Sequence, residues 1–171
     1  MTFAETIDAS DVRRRGREAQ TIALILLVLA AVSVVGDILV GPLLRLARSG
    51  HGLAPFATDV RDNAIAALPM IILLGALWSA HRVFGRVADG DVFSAANAAG
   101  LGAIGQAMGW SGFAAVVMAP TLQAWVARRG GFDVALEGWA LVLAALGGAV
   151  VLFGRIWALA IEIKTDADQI I

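Results

Sequence analysis

Residues 21–40 read TIALILLVLAAVSVVGDILV, twenty residues with one charge among them, Asp37. At about 1.5 Å of helical rise per residue, a run of that length matches the roughly 30 Å hydrocarbon core of a bilayer. The whole chain leans the same way. Its 171 residues are 59% hydrophobic and 16% charged, with a mean hydropathy of +0.80, whereas soluble domains average about 45–50% apolar and about 25% charged. One domain of this size has too little interior to hide so much apolar surface from water, so a lipid environment is implied. The absence of cysteine and a net charge of -1 set aside disulfide scaffolds, thiolate and iron–sulfur chemistry, and strongly basic nucleic-acid binders.

Three further apolar runs follow, at about 63–79, 101–126 and 136–160. The fold class is therefore all-α: a polytopic membrane protein built as a four-transmembrane-helix bundle. Residues 1–20 form a basic segment before the first span, and 21–171 form one transmembrane domain. The apolar run at 21–40 exceeds the 7–15 residues of a signal-peptide core, so it is expected to stay in the protein. Pro69 falls inside the second run, where neighbouring helices can satisfy the carbonyl it leaves unpaired.

Four spans bring both termini to one side. Arg13, Arg14, Arg15, Arg17, Arg82, Arg86, Arg155 and Lys164 belong to that side, against Arg45, Arg48, Arg61, Arg128 and Arg129 on the other. The excess of basic residues marks the terminal side as cytoplasmic, and the expected location is the bacterial inner membrane. The four clustered arginines are explained by topology and by attraction to anionic lipid; direct nucleic-acid binding is not expected of them.

Small residues recur on the last two spans. Gly105 and Gly109, flanked by Gly102 and Gly112, face a candidate strip of Ala140, Ala144 and Gly148 with Gly147 beside it, spacings that let two helices meet closely. The connection at 41–62 is too long for a bare turn. Leu43, Leu44, Leu46 and Ala47, broken by Arg45 and Arg48, suit a short interfacial helix, and a mobile loop is the alternative.

The second connection is richer. Ala80, Val83, Phe84 and Val87 hold an i, i+3, i+4, i+7 stripe, so the second helix is expected to continue about two turns into the cytoplasm. Gly90 ends it, and Ser94 is placed to cap a helix starting at Ala95, with Asn97 where a capping box would carry Glu or Gln. Ile156, Leu159, Ala160 and Ile163 repeat the stripe, with Glu162, Lys164 and Asp166 on the polar side, so the fourth helix also gains a cytoplasmic extension.

Leu68-Pro69, Val83-Phe84, the turn Gly90-Asp91-Val92-Phe93-Ser94 with Asn97, then Leu101 and Ile104-Gly105, together resemble DUF2975, a bacterial domain-of-unknown-function family of small four-span inner-membrane proteins. The ending from Arg155 through Glu162 to Ile171 is similar as well. The resemblance covers about 68–171 and establishes no activity. It implies, by analogy, a membrane partner for a small helix-turn-helix regulator.

Catalytic chemistry is not legible in the chain. Metal binding wants several converging ligands, and the two histidines, His51 and His81, fall on opposite sides. No phosphate-binding loop and no nucleophile–base pair is recognisable, so no catalytic, cofactor-binding or metal-binding residue is assigned, no cofactor is implied, and a non-enzymatic role is expected. The polar residues within or near the spans are Asp37, Gln106 and Arg155. Asp37 and Arg155 lie at opposite depths, and Asp37 is expected to reach water or Arg45.

The leading expectation is a regulatory or partner-binding protein whose cytoplasmic face holds a small DNA-binding regulator. The residues assigned to that face are Arg82, Phe84, Arg86, Asp91, Phe93, Ser94 and Asn97, with Glu162 and Asp166 from the tail. Phe84, Phe93, Ser94 and Asn97 have an internal alternative as a capped turn packing on its own bundle. The competing expectation is a small transporter or a lipid- or small-molecule-binding membrane protein using Asp37, or Gln106 and Gln123, as polar contacts. The bilayer is an expected partner in either case, and a homo-oligomer is compatible with both.

Overall fold

Long apolar runs without internal breakers become long helices, and the chain's helices begin and end largely where proline, glycine and capping side chains require. A computed structural model describes residues 9–49 and 53–169. Helix α1 spans Ala9–Val35 and passes through a π-helical segment, Gly36–Val40, into α2, Gly41–Ser49; α3 is Leu53–Ala66 and α4 is Leu68–Ala88. Helix α5 is Ala95–Phe113, followed by a second π-helical segment, Ala114–Met118, and α6, Ala119–Val126; α7 is Gly138–Gln169. Four continuous helical stretches are long and apolar enough to cross a membrane: Ser10–Arg48, Leu68–Ala88, Ala95–Val126 and Gly138–Ile163.

The four long helices stand side by side in the order α1, α4, α5, α7, each running opposite to its neighbour. Helix α1 packs on α4, α4 on α5, and α5 on α7, while α1 and α7 share no packed interface. The bundle is an open row. Its terminal end carries the start of α1, the end of α7 and the turn between α4 and α5; its distal end carries α2, α3, α6 and the segment joining α6 to α7.

Close backbone approach holds the row together. A Cβ on Gly105 would lie 2.5 Å from the Gly147 carbonyl oxygen, one on Gly147 would lie 2.6 Å from the Gly105 oxygen, and one on Gly112 would lie 2.6 Å from the Ala140 oxygen. Nearer the terminal end, Gly154 faces the Ala98 oxygen at 3.0 Å. The strip on α7 is therefore Ala140, Ala144, Gly147 and Gly154, and Gly148, expected to belong to it, meets open space. Repeated steps of four residues rotate steadily around a 3.6-residue helix, whereas alternating four and three holds one face.

The connection at 41–62 holds the short helix expected over Leu43, Leu44, Leu46 and Ala47, which is α2, and in addition most of a second helix, α3, that is not expected from the sequence. Arg45 of α2 pairs with Asp59 of α3 at 3.0 Å, and Asp37 is exposed, as expected of a residue that reaches water. The second apolar run is also divided differently from the expectation. Its helix breaks at Ala67, and Pro69 occupies the first turn of α4, where its missing N–H leaves no bond unmade. Pro69 still donates order through its carbonyl, which accepts a 2.7 Å bond from the buried Ser111 hydroxyl of α5.

Both π-helical segments precede a proline. At the first, Gly41 N–H reaches back to the Gly36 oxygen and Pro42 has no N–H to offer, so the Asp37 carbonyl is free to accept from the Asn63 side-chain amide at 2.8 Å. At the second, Pro120 cannot serve the Val116 carbonyl four residues back, and that oxygen accepts from Ala135 N–H at 2.9 Å. The segment after α6 is thereby tied to the helix it leaves, with Thr121 and Asp133 adding a reciprocal pair of bonds at 2.9 and 3.3 Å.

Replacing Gly147 with leucine should force α5 and α7 apart and lower stability by about 1–3 kcal/mol, the usual effect of overpacking a tight contact. The same change at Gly148 should leave stability unaltered. Thermal unfolding of both variants in detergent micelles checks the contrast, and equal melting temperatures would refute the α5–α7 contact.

Candidate partner-binding face

The terminal end is assembled around the stop of α4. Gly90, at φ +92, takes the left-handed conformation that L side chains resist. Its N–H donates to the Val87 carbonyl at 3.0 Å, and Asp91 N–H donates to the Arg86 carbonyl at 2.9 Å, the pair of reversed bonds that closes a helix C-terminus. Three residues later Ser94 begins α5, with its hydroxyl accepting from Asn97 N–H at 3.3 Å.

Asn97 does more than complete a cap. Only 2% exposed, it sends its amide Nδ2 back to the Asp91 and Val92 carbonyls, clamping the turn from inside. Arg86 supplies a second clamp, with its guanidinium donating to the Ala96 carbonyl in the first turn of α5 at 2.9 Å. Phe93 stacks on Trp157 of α7, with ring centroids 5.3 Å apart and planes 12° from parallel. The turn is thus joined to both helices beside it.

The basic segment before the first span is helical from Ala9 and is packed. Gly16 lies so close to α4 that a Cβ there would meet Ala88 N at 2.8 Å, and the Gln20 side chain would stand 2.9 Å from one on Gly85. His81 Nδ1 lies 3.2 Å from the Gln20 carbonyl oxygen, and the Arg13 guanidinium covers Gly90, with its Nη2 3.0 Å from where a Cβ would be. Sequence reading attributed the arginines here to topology and missed this packing. Its signal is Gly16, a residue that lowers helix propensity and is set among arginines in an otherwise helix-compatible stretch.

The structure sorts the residues expected on this face. Arg86, Ser94 and Asn97 build the turn from within, and Phe84 is half-buried. Arg82, Asp91, Phe93 and Glu162 are exposed. Asp166 belongs to α7, and its side chain lies outside the described residues, as does His51. Added to the exposed set are Arg14, Arg15 and Arg17 of α1. Arg14 pairs with Glu18 at 3.5 Å, while Arg15, Arg17 and Arg82 make no ion pair among the described residues.

The intramembrane polar residues separate. Asp37 is exposed at the distal end of α1, whereas Gln106 and Arg155 line one groove of about 470 Å³ between α5 and α7. Gln123 lines a different cavity, an open distal cleft of about 680 Å³ that also presents Arg61, Asp62, Arg129, Asp133 and Glu137. No cluster of three or more His, Asp or Glu able to hold a metal occurs among the described residues.

Helices of spanning length packed in a row and joined by clamped connections define a multi-pass, all-helical membrane protein. Residues 62–171 match the model of a family described as a protein of unknown function, DUF2975, and the chain belongs to that family. No curated protein and no solved structure matches the chain. The match takes in the end of α3 from residue 62 and all of α4 to α7, and leaves α1, α2 and the first part of α3 before it.

Exchanging Asn97 for aspartate would place a carboxylate against two carbonyls in place of the donor both now share. The expected loss is about 1–3 kcal/mol, larger than for Asn97→Ala, and thermal unfolding of the two variants side by side measures the order.

Proposed function

We propose that this protein is a non-enzymatic regulatory component of the bacterial inner membrane, with both termini cytoplasmic, that holds a small helix-turn-helix DNA-binding protein on its terminal end. The supporting observation is the packing of the basic stretch of α1 along α4 through Gly16 and Gln20. It holds Arg15 and Arg17 on a supported helix instead of a loose tail, and Arg82, Asp91 and Phe93 are exposed on the elements beside it. Rigid presentation lowers the ordering entropy that binding must overcome. Unpaired arginines favour an acidic patch on the partner, and complementarity of that kind sets specificity and association rate. The link to a helix-turn-helix regulator comes from the family analogy.

Orientation is directly testable, because the chain has no cysteine. A single cysteine replacing Asp89 should react with a membrane-impermeant maleimide only after spheroplasts are permeabilised, and one replacing Phe132 should react in intact spheroplasts; the reverse pattern would overturn the assignment. For the partner, co-expression with a small helix-turn-helix protein encoded beside this chain should recover that protein from solubilised membranes. Replacing Arg15, Arg17 and Arg82 together with glutamine should reduce the recovery roughly tenfold, each exposed pair contributing about 0.2–1 kcal/mol. Failure of the native chain to recover it would end this reading.

A further inference from the structure

The distal cleft brings opposite charges to one cavity without letting them pair. Its volume of about 680 Å³ falls in the range of small-molecule sites, about 300–1,000 Å³. On its α3 side Arg61 and Asp62 compensate each other at 2.9 Å. The other charges are Arg129, Asp133 and Glu137, and among the described residues Arg129 makes no ion pair with either carboxylate.

Hydrogen bonds hold the three apart. Asp133 is fixed through its backbone by the reciprocal bonds with Thr121, and its Oδ1 accepts from Val134 N–H at 2.9 Å. Glu137 Oε2 accepts from the Trp139 indole N–H. One oxygen of each carboxylate is left uncommitted among the described residues. Arg129 N–H donates to the Ala124 carbonyl at 3.0 Å, and Trp125 Nε1 donates to the Gly131 carbonyl at 2.8 Å. The segment that carries all three charges is thus tied to α6, and a frame fixed in advance has little left to order when a ligand arrives.

The spans set the level of the cleft. The second begins at Leu68, the third ends at Val126 and the fourth begins at Gly138. All five charged residues of the cleft stand outside those limits, whereas Pro69, Ala115 and Ala119, which are buried and line it too, stand within them. The cleft is therefore charged where the spans leave the hydrocarbon layer and apolar beneath.

The mixture of signs selects the ligand. A lone anion drawn to Arg129 meets two carboxylates in the same cavity, and a lone organic cation drawn to the carboxylates meets Arg129. No group of three or more His, Asp or Glu able to hold a metal occurs among the described residues. We infer that the distal cleft binds a small zwitterion, a molecule carrying an ammonium group and an anionic oxygen group a few bonds apart. The Arg129 guanidinium takes the anionic group and the uncommitted oxygens of Asp133 and Glu137 take the ammonium, both as charge-assisted hydrogen bonds. Gln123, which lines the same cleft, can donate to one pole or accept from the other. An ethanolamine phospholipid headgroup and a free amino acid share this chemistry.

Native mass spectrometry of the full chain in detergent micelles, with phosphatidylethanolamine and phosphatidylglycerol offered equally, tests the site. Phosphatidylethanolamine carries both poles and should be retained about tenfold more tightly than phosphatidylglycerol, which lacks the ammonium, the scale of one charge-assisted hydrogen bond. Asp133→Asn combined with Glu137→Gln removes both negative charges and keeps the acceptors for Val134 and Trp139, so it should erase that preference with the melting temperature unchanged. Arg129→Gln should weaken retention of both lipids about tenfold. Where the ligand is a free amino acid, the lipids are retained equally, and millimolar L-alanine should raise the melting temperature of the native chain and leave that of the charge variants unmoved. Equal retention of the two lipids together with no response to L-alanine would overturn the site, as would either signal persisting undiminished in the charge variants. These readouts are separate from recovery of a regulator at the terminal end.

Discussion

A row of helices has little interior, and that geometry makes a few backbone contacts decisive. In the most apolar windows of the four spans only 11–28% of residues are buried within the protein. Lipid tails are as apolar as leucine, so the large exposed side chains of α1 and α7 supply no drive for helix association. Cohesion comes instead from places where one backbone rests on another. Gly105 and Gly147 each stand against the other's carbonyl, and Gly16 stands against Ala88. At such sites any side chain would separate the helices, and loss of contact on one flank cannot be offset by packing on the opposite one. The N-terminal arginines, the α4–α5 turn and the groove beside Arg155 are all placed by these seams.

Proline organises the distal end by the same economy of donors. A carbonyl released inside a membrane has no water to turn to, so the release is tolerable only with a partner at hand. The Asp37 carbonyl finds the Asn63 amide, and the Val116 carbonyl finds Ala135 N–H. In both cases the freed group adds a bond between a spanning helix and the connection beside it. Each of these two π-helical breaks is therefore also an anchor of the distal end.

Much of this was legible in the chain. Hydropathy shows the spans because it depends on composition over about twenty residues, and the stop at Gly90 and the cap at Ser94 are local rules acting on local residues. The misreadings share a different character. Pro69 within an unbroken apolar run gives no sign that the helix ends at Ala67, because both halves are helical and only the contact with Ser111 reveals the join. The choice of Gly147 over Gly148 turns on which side of α7 meets α5, a rotation that two adjacent glycines cannot specify. The packing of 9–20 on α4 brings together residues far apart in sequence, and the arginines mask it, since a basic flank is already explained by membrane topology. For the site, Arg82, Asp91 and Glu162 were found as exposed polar residues. The inward clamps made by Arg86 and Asn97 needed coordinates, because the same side chains could equally have faced solvent.

The division of labour in the α4–α5 turn bears on how the terminal end could work. Its polar side chains are spent inward: Asn97 on two carbonyls, Ser94 on an amide, Arg86 on the start of α5. A turn held that firmly contributes little motion of its own, and a surface that must move on binding would be built with fewer such bonds. The outward groups, Arg82, Asp91 and Phe93, therefore sit on a fixed frame, and Arg13 ties that frame to α1 through Gly90. Any force applied at the turn passes into α1 and α4 together, because the Gly16 seam leaves no slack between them.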